Sequence, residues 1–252
     1  MRSCRAGAAG SPPGTRPSPR WTSCSVERRD AGRLRPGSGS AGADAWPEQA
    51  SVAEPGWAFL AREGVADDPV RDARRVLDLL REVGGGHVVA HSYGANAALL
   101  AAQREPTLVT SLALLEPACF DLARGRPAVE EHIAAMTPVF AVADDPSVSP
   151  REFSRRFAAA SGTRPPDLPD DVLEQRVARL RALRPPWGLD LDPSVPIPGR
   201  TLVVTGGSSA LYEQTAEALV GAGARHVVLA GAGHRVQDVA RATEVLREHW
   251  RG

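Results

Sequence analysis

The chain of 252 residues contains no lysine, only three cysteines and no long hydrophobic run. All 30 basic residues are arginine, and 30 acidic residues balance them, so the formal net charge is zero. This balance gives no electrostatic reason to expect a nucleic acid or an acidic surface as a partner. Together with 24 glycines and 22 prolines, the absence of lysine indicates a GC-rich genome rather than a function.

The few cysteines and the short apolar segments argue against a disulfide-rich, a metal-binding or a membrane-spanning protein. Cys4, Cys24 and Cys119 have neither metal-ligand spacing nor the density of a disulfide framework, so we expect no metal site. No stretch approaches the roughly 18 consecutive apolar residues of a membrane helix, and no apolar segment follows the N-terminal arginines as in a secretory signal. We therefore expect a cytoplasmic protein that acts on a small-molecule substrate without a cofactor, a nucleic acid or a membrane. The oligomeric state stays open.

Residues 1–45 differ in composition from the rest of the chain. Eight arginines stand there against three acidic residues, and no strand or helix period is recognisable. Such a segment buries too little apolar surface to offset the entropy of ordering, so we expect disorder. The arginine-rich composition resembles an organelle transit peptide, but we favour a misassigned leader upstream of the real domain.

From residue 66 onward, short apolar runs alternate with helical periods. The predicted strands are Val88–Ala90, Val109–Leu115, Thr201–Thr205 and His226–Leu229. Strands that alternate with helices in this way predict an α/β fold with a mostly parallel sheet, formed by residues 46–120 and 191–252. Residues 121–190 contain three helical patterns and no convincing strand, which predicts a helical cap inserted into that core. In its last helix, Asp171 and Glu174 have the spacing of a capping box.

The segment Ala90-His91-Ser92-Tyr93-Gly94 carries the clearest chemical signal. A β-branched run leads into a serine with small residues two positions away on either side, and a helical pattern follows at once. A strand that turns this sharply into a helix exposes the serine hydroxyl at the carboxyl edge of the sheet, as in a nucleophile elbow. We therefore predict Ser92 as a nucleophile.

A serine nucleophile needs a general base and a group that orients that base. His234 follows a predicted strand in a glycine-rich loop at the same sheet edge, so we predict it as the base. Glu116 ends a buried strand and is our preferred orienting acid, with Asp238 and Glu213 as the alternatives. His132, in the predicted cap, is close enough to touch a substrate, although a solvated position is the simpler interpretation.

These residues resemble the α/β-hydrolase superfamily over roughly residues 66–252, in the chain order Ser92…Glu116…His234. The resemblance implies a serine hydrolase with a helical cap above the active site. It also implies an oxyanion hole, for which Tyr93 supplies one N–H. The second donor would come from the Arg35–Ser40 segment, and the candidates are Gly37, Ser38 and Gly39. A proline stands there where the family commonly has histidine, and no apolar strand precedes it.

We accordingly expect a carboxylesterase-like enzyme that cleaves a small apolar ester, thioester or related acyl compound. Five aromatic residues either line its pocket or pack between cap and sheet: Phe120, Phe140, Phe153, Phe157 and Trp187. Two alternatives remain open. The same fold and triad also serve lyases, cyclases and cofactor-free haloperoxidases, and the unusual N-terminal half is consistent with a catalytically impaired binding protein.

Overall fold

The computed structural model describes residues 23–28, 57–60, 68–189 and 191–251, the first two ranges as backbone strands only. The predicted oxyanion-loop residues Gly37, Ser38 and Gly39 lie outside the described residues. The strands of the described residues are β1 Ser23–Arg28, β2 Trp57–Leu60, β3 Gly86–His91, β4 Val109–Leu115, β5 Thr201–Thr205 and β6 Arg225–Val228. The helices are α1 Pro69–Val83, α2 Gly94–Arg104, α3 Pro127–Ala141, α4 Pro150–Ala160, α5 Asp170–Arg181, α6 Ala210–Gly221 and α7 Ala240–Arg251.

These strands form one sheet in the order β2-β1-β3-β4-β5-β6. Strands β3 to β6 run parallel, whereas β1 is antiparallel to both β2 and β3. The predicted α/β fold with a mostly parallel sheet is therefore confirmed. Because four neighbouring strands share one direction, the residues that follow them meet at one edge of the sheet, which places the candidate site.

The N-terminal region differs from the expectation of disorder at residues 23–28. There the chain forms β1, which hydrogen-bonds to the edge of β3 from Ser23 opposite His91 to Arg28 opposite Gly86. The cause is that an open strand edge offers backbone donors and acceptors to any extended segment, whatever its composition. Residues 1–22 and 29–45 lie outside the described part of the chain.

Helix α1 shows how local sequence sets the elements that support the sheet. The Asp68 side chain accepts hydrogen bonds from the N–H groups of Val70 and Arg71 at 3.0 and 3.3 Å, and Pro69 occupies the first helical turn. Gly84, at φ 74°, ends the helix in the left-handed conformation that glycine adopts most readily. The apolar stripe of the helix is buried, as its 3.6-residue period predicts: Ala73, Val76, Leu77 and Leu80.

Apolar side chains of β3 alternate between the two faces of the sheet. Val88 and Ala90 pack with α1 and α2 on one face, whereas Val89 packs with Leu246 and Trp250 of α7 on the other. Both faces are therefore covered by helices, as a parallel sheet requires. No helix of the described residues is long and apolar enough to cross a membrane.

Between β4 and β5 the chain forms the helices α3, α4 and α5, which we call the helical segment (127–181). It has its own apolar cluster, built from Val139, Val148, Phe153, Leu173 and Val177. Helix α5 begins at Asp170 with Pro169 at its N-cap, and no side chain caps it. Asp171 and Glu174 therefore lie inside the helix rather than forming the predicted capping box, because the N-cap is Pro169, two residues before Asp171.

Candidate active site

Ser92 occupies the sharp turn between β3 and α2. Its φ is 53°, a conformation that costs a non-glycine residue about 1–3 kcal/mol unless its surroundings enforce it. The surroundings do so: the Ser92 N–H donates to the Leu115 carbonyl at 2.8 Å. The Ser92 carbonyl accepts from the N–H groups of Ala95 and Ala118 at 3.1 and 3.0 Å. The turn is thus held by the backbone of β4 and of the helix that follows.

The His234 imidazole lies between the serine and a carboxylate. Its Nε2 is 3.0 Å from Ser92 Oγ, and its Nδ1 is 3.3 Å from Glu116 Oε2. Both distances are within hydrogen-bonding range, so the ring can accept the serine proton while the carboxylate holds the other nitrogen. The His234 side chain is 39% exposed, whereas that of Glu116 is 2% exposed. The structure brings together the three residues that the sequence analysis selected.

Glu116 is held in place by backbone groups from neighbouring strands. Its N–H donates to the Val204 carbonyl at 2.8 Å, and its Oε1 accepts from the Gly206 N–H at 2.6 Å. One carboxylate oxygen therefore binds the backbone while the other faces His234. Gly206 has no room for a side chain, because a Cβ there would lie 2.3 Å from the Gly233 carbonyl oxygen. Because of this close approach, the loop after β5 lies directly against the loop that carries His234.

The alternative acids lie elsewhere. Glu213 accepts from the Gly207 N–H at 3.2 Å and lies 3.8 Å from His226 Nε2. Asp238 forms an ion pair with Arg235 on the next turn of the chain. Neither carboxylate contacts His234, so Glu116 alone of the three candidates is in a position to orient it.

His91, the last residue of β3, holds the loop that carries His234 in place by a hydrogen bond. Its Nε2–H donates to the His234 carbonyl at 2.8 Å, and the two rings lie 4.8 Å apart. Burial, together with the nearby charge of His234, lowers the pKa of His91 to about 3. His91 is therefore neutral at physiological pH and acts as a positioning residue for His234.

A cavity of about 470 Å³ lies above Ser92, between the sheet edge and the helical segment. This volume is in the range of small-molecule sites. Of the predicted pocket residues, Phe120, Phe140 and Phe157 line it, and so does Tyr93. Among the described residues, no group of three or more His, Cys, Asp or Glu is arranged to hold a metal ion.

Two predicted pocket residues do not line the cavity. Phe153 is fully buried in the apolar cluster of the helical segment, with the Arg181 guanidinium 4.5 Å above its ring. Trp187 lies behind Phe140, with the two ring centroids 5.5 Å apart. Both are packing residues: Phe153 fills the apolar cluster of the helical segment, and Trp187 packs against the cluster around Phe120.

The sequence analysis missed Tyr212, on the first turn of α6. Its ring centroid lies 4.8 Å from that of His234, and its hydroxyl contacts the Ser92 side chain. Burial and the charge of Glu116 raise the pKa of Tyr212, so the hydroxyl stays protonated. Nothing in its local sequence distinguishes Tyr212 from a packing residue. The loop that begins at Gly206 leads into α6, whose first turn brings Tyr212 to the site.

His132 of α3 was expected to be solvated, but it lines the cavity instead. Its ring centroid lies 5.2 Å from that of Phe120 and 6.4 Å from that of Trp187. Burial lowers the pKa of His132, so its imidazole is neutral near pH 7. It is a polar but uncharged group in an aromatic wall.

Comparison with known proteins identifies the family. A family model described as "Alpha/beta hydrolase family" matches residues 19–248. A search among curated proteins finds no match.

Solved structures with the same fold are similar at low sequence identity. MGS-M2, an alpha/beta hydrolase enzyme from a Medee basin deep-sea metagenome library, has a TM-score of 0.52 at 16% identity, over 83% of this chain and 84% of that one. A haloalkane dehalogenase from Bradyrhizobium elkanii has a TM-score of 0.49 at 18% sequence identity, over 91% of this chain and 92% of that one. A carboxylesterase structure from Nitrososphaera gargenis has a TM-score of 0.47 at 13% sequence identity, over 77% of this chain and 79% of that one. From the family match over nearly its whole length, the chain belongs to the alpha/beta hydrolase family.

Proposed function

We propose that the protein is a serine hydrolase of the carboxylesterase type, which cleaves a small apolar ester, thioester or related acyl compound. One observation carries the proposal. The His234 imidazole bridges Ser92 Oγ at 3.0 Å and Glu116 Oε2 at 3.3 Å, and both Ser92 and His234 line the cavity. This is the relation of nucleophile, base and orienting acid that acyl transfer requires.

In the proposed reaction, Ser92 Oγ attacks the substrate carbonyl carbon and His234 Nε2 accepts the serine proton. The imidazolium that forms is stabilised by the buried Glu116 carboxylate, which the Gly206 N–H holds in orientation. His234 then donates the proton to the departing alcohol or thiol, and an acyl group remains on Ser92. A water molecule, deprotonated by the same imidazole, hydrolyses the acyl-enzyme and restores the serine.

The oxyanion of each tetrahedral intermediate requires hydrogen-bond donors. The peptide N–H of Tyr93 directly follows the nucleophile, which is the position that supplies the first donor in this fold. Gly37, Ser38 and Gly39 remain the candidates for the second. Removal of one donor typically lowers the rate by about 10²–10³-fold, so the two oxyanion-hole donors together account for a large part of the rate.

The helical segment acts, in this proposal, as a cap that limits the access of water. Phe140 and Phe157 of the segment and Phe120 below it provide the apolar walls. Tyr212 covers one face of His234 and places its hydroxyl beside Ser92. An apolar acyl chain fits this lining because its transfer from water is favourable.

Labelling with a fluorophosphonate probe tests the proposal. We expect the wild-type protein to be labelled and the Ser92→Ala variant not to be, because the probe reacts only with an activated serine. Hydrolysis of 4-nitrophenyl butyrate should fall about 10⁵–10⁶-fold in the same variant. Ser161→Ala is the matched control, because Ser161 also lines the cavity but donates to the Phe157 carbonyl at 2.7 Å. It should keep its labelling. A folded wild-type protein that resists the probe would contradict the proposal.

A further inference from the structure

Three arginines line the cavity at its solvent-exposed end. Arg164 lies in the loop after α4, Arg176 on α5 and Arg184 in the loop after α5. All three are exposed and also line the cavity, which places them where it opens to solvent. No aspartate or glutamate is found among the described residues that line it. The entrance is therefore positive in a chain whose net charge is zero.

These arginines differ from Arg156 and Arg181 of the helical segment in how their guanidinium groups are paired. Within the described residues, Arg164 and Arg176 form neither an ion pair nor a hydrogen bond, and Arg184 comes only within 3.7 Å of the exposed Asp68. By contrast, Arg156 pairs with Glu152 at 2.7 Å, and Arg181 donates to main-chain carbonyls, including that of Ala143 at 2.6 Å. The arginines at the cavity entrance thus keep their donors available to a ligand.

We propose that the cavity binds an acyl compound that carries an anionic group, in the first instance a carboxylate, at the end remote from the reacting carbonyl. Arg164 and Arg176 bind this group, and Arg184 adds to the positive electrostatic potential at the entrance. The apolar part of the substrate lies between them and Ser92, against Phe140 and Phe157. This inference rests on the proposed hydrolase function and narrows its substrate from an apolar ester to an amphiphilic one.

The chemistry of arginine gives this site defined properties. A guanidinium stays charged at every physiological pH and presents a planar set of donors that matches a carboxylate or a phosphate. The preference for an anionic substrate should therefore not change between pH 6 and pH 9. Because the guanidinium groups are exposed, it should weaken with salt, since the screening length falls from about 10 Å at 0.1 M to about 3 Å at 1 M.

Two matched pairs of esters test the inference on either side of the ester bond. The first pair is mono(4-nitrophenyl) adipate and 4-nitrophenyl hexanoate, which differ by a terminal carboxylate on the acyl chain. The second is 6-(hexanoyloxy)hexanoate and hexyl hexanoate, which differ by a carboxylate on the leaving alcohol. In at least one pair, we expect kcat/KM to be about tenfold or more higher for the anionic ester at low salt.

Arginine variants identify the residues responsible. Arg164→Gln and Arg176→Gln should each raise KM for the preferred anionic ester about twofold to fivefold, as expected for exposed charge pairs. Their KM for the neutral ester should change by less than their KM for the anionic ester. Arg155→Gln is the matched control, because Arg155 is exposed on α4 and pairs with Glu152 away from the cavity. Inhibition by hexanoate and by hexyl phosphate, each compared with hexanol, distinguishes a carboxylate site from a phosphate site.

The outcomes separate this inference from the proposed function. If neutral esters are hydrolysed and neither pair shows an anionic preference, the hydrolase stands and the inference is wrong. It is also wrong if both arginine variants bind the anionic ester as the wild type does. If fluorophosphonate labelling and hydrolysis both fail, the proposed function is wrong. Calorimetric binding of monohexyl adipate and of hexyl hexanoate to the wild type then tests the anionic site by itself. Tighter binding of the adipate supports the site, and equal binding contradicts it.

Discussion

The sheet edge and the helical segment hold their polar groups in opposite ways. At the sheet edge, Glu116 is buried and both of its carboxylate oxygens are engaged, and the Ser92 turn is held by three backbone hydrogen bonds. In the helical segment and the loop after α4, Arg176 and Arg164 are exposed and pair with no described residue. In the reaction and the substrate that we propose, the reaction geometry is set by groups fixed to the backbone, whereas ligand recognition is left to exposed side chains.

Stability is also divided between the two regions. The sheet edge depends on apolar clusters on both faces of the sheet, which include Leu112 and Leu246. The helical segment depends on a separate cluster around Phe153. Damage to one cluster should therefore leave the other region largely intact, because distant sites contribute almost additively.

The largest expected effect comes from the sheet edge. Glu116→Gln should lower kcat/KM about 10⁴-fold, because an amide cannot stabilise the His234 imidazolium or hold its tautomer. The amide oxygen can still accept from Gly206, so the variant should fold. Steady-state hydrolysis of a 4-nitrophenyl ester measures the loss. Glu213→Gln, which changes the neighbouring carboxylate, should remain close to wild type. An equal loss in both variants would contradict the assignment of Glu116.

An intermediate effect is expected in the helical segment. Phe153→Ala should lower the free energy of unfolding of this segment by about 3–5 kcal/mol, because it leaves a cavity in a fully buried cluster. Phe153→Leu should cost less, since much of the volume remains. Urea unfolding followed by circular dichroism measures both changes. Fluorophosphonate labelling below the transition should persist; its loss in the folded variant would show that the two regions are not separable.

The smallest effect is expected at Tyr212, where the two regions meet. Its ring, like that of Trp187, packs against the cluster around Phe120, and its hydroxyl contacts Ser92. Tyr212→Phe keeps the ring and removes one hydrogen-bonding group, so kcat should fall about tenfold while KM changes little. Tyr212→Leu, which also loses the ring contact with His234, should fall further. Equal activity in the wild type and the Phe variant would reduce Tyr212 to a packing residue.

The prediction from sequence was most accurate where the signal is local. Strands Val109–Leu115 and Thr201–Thr205 begin and end where their patterns place them. The strand Ser23–Arg28 was missed, because its pairing with β3 depends on an available edge and not on its own composition. Tyr212 and the entrance arginines were missed for a related reason: each lies far along the chain from Ser92 and has no motif of its own.

The sequence by itself determined the α/β alternation, the serine turn, and the strand ends that carry Glu116 and the loop of His234. These follow from hydrophobic period, from glycine and proline positions, and from the rule that parallel strands end at one edge. Only the tertiary structure decided which carboxylate faces His234, which aromatic residues line the cavity, and that arginines stand at its entrance. The physical reason is that these relations join residues far apart in the chain, through distances that no local pattern records.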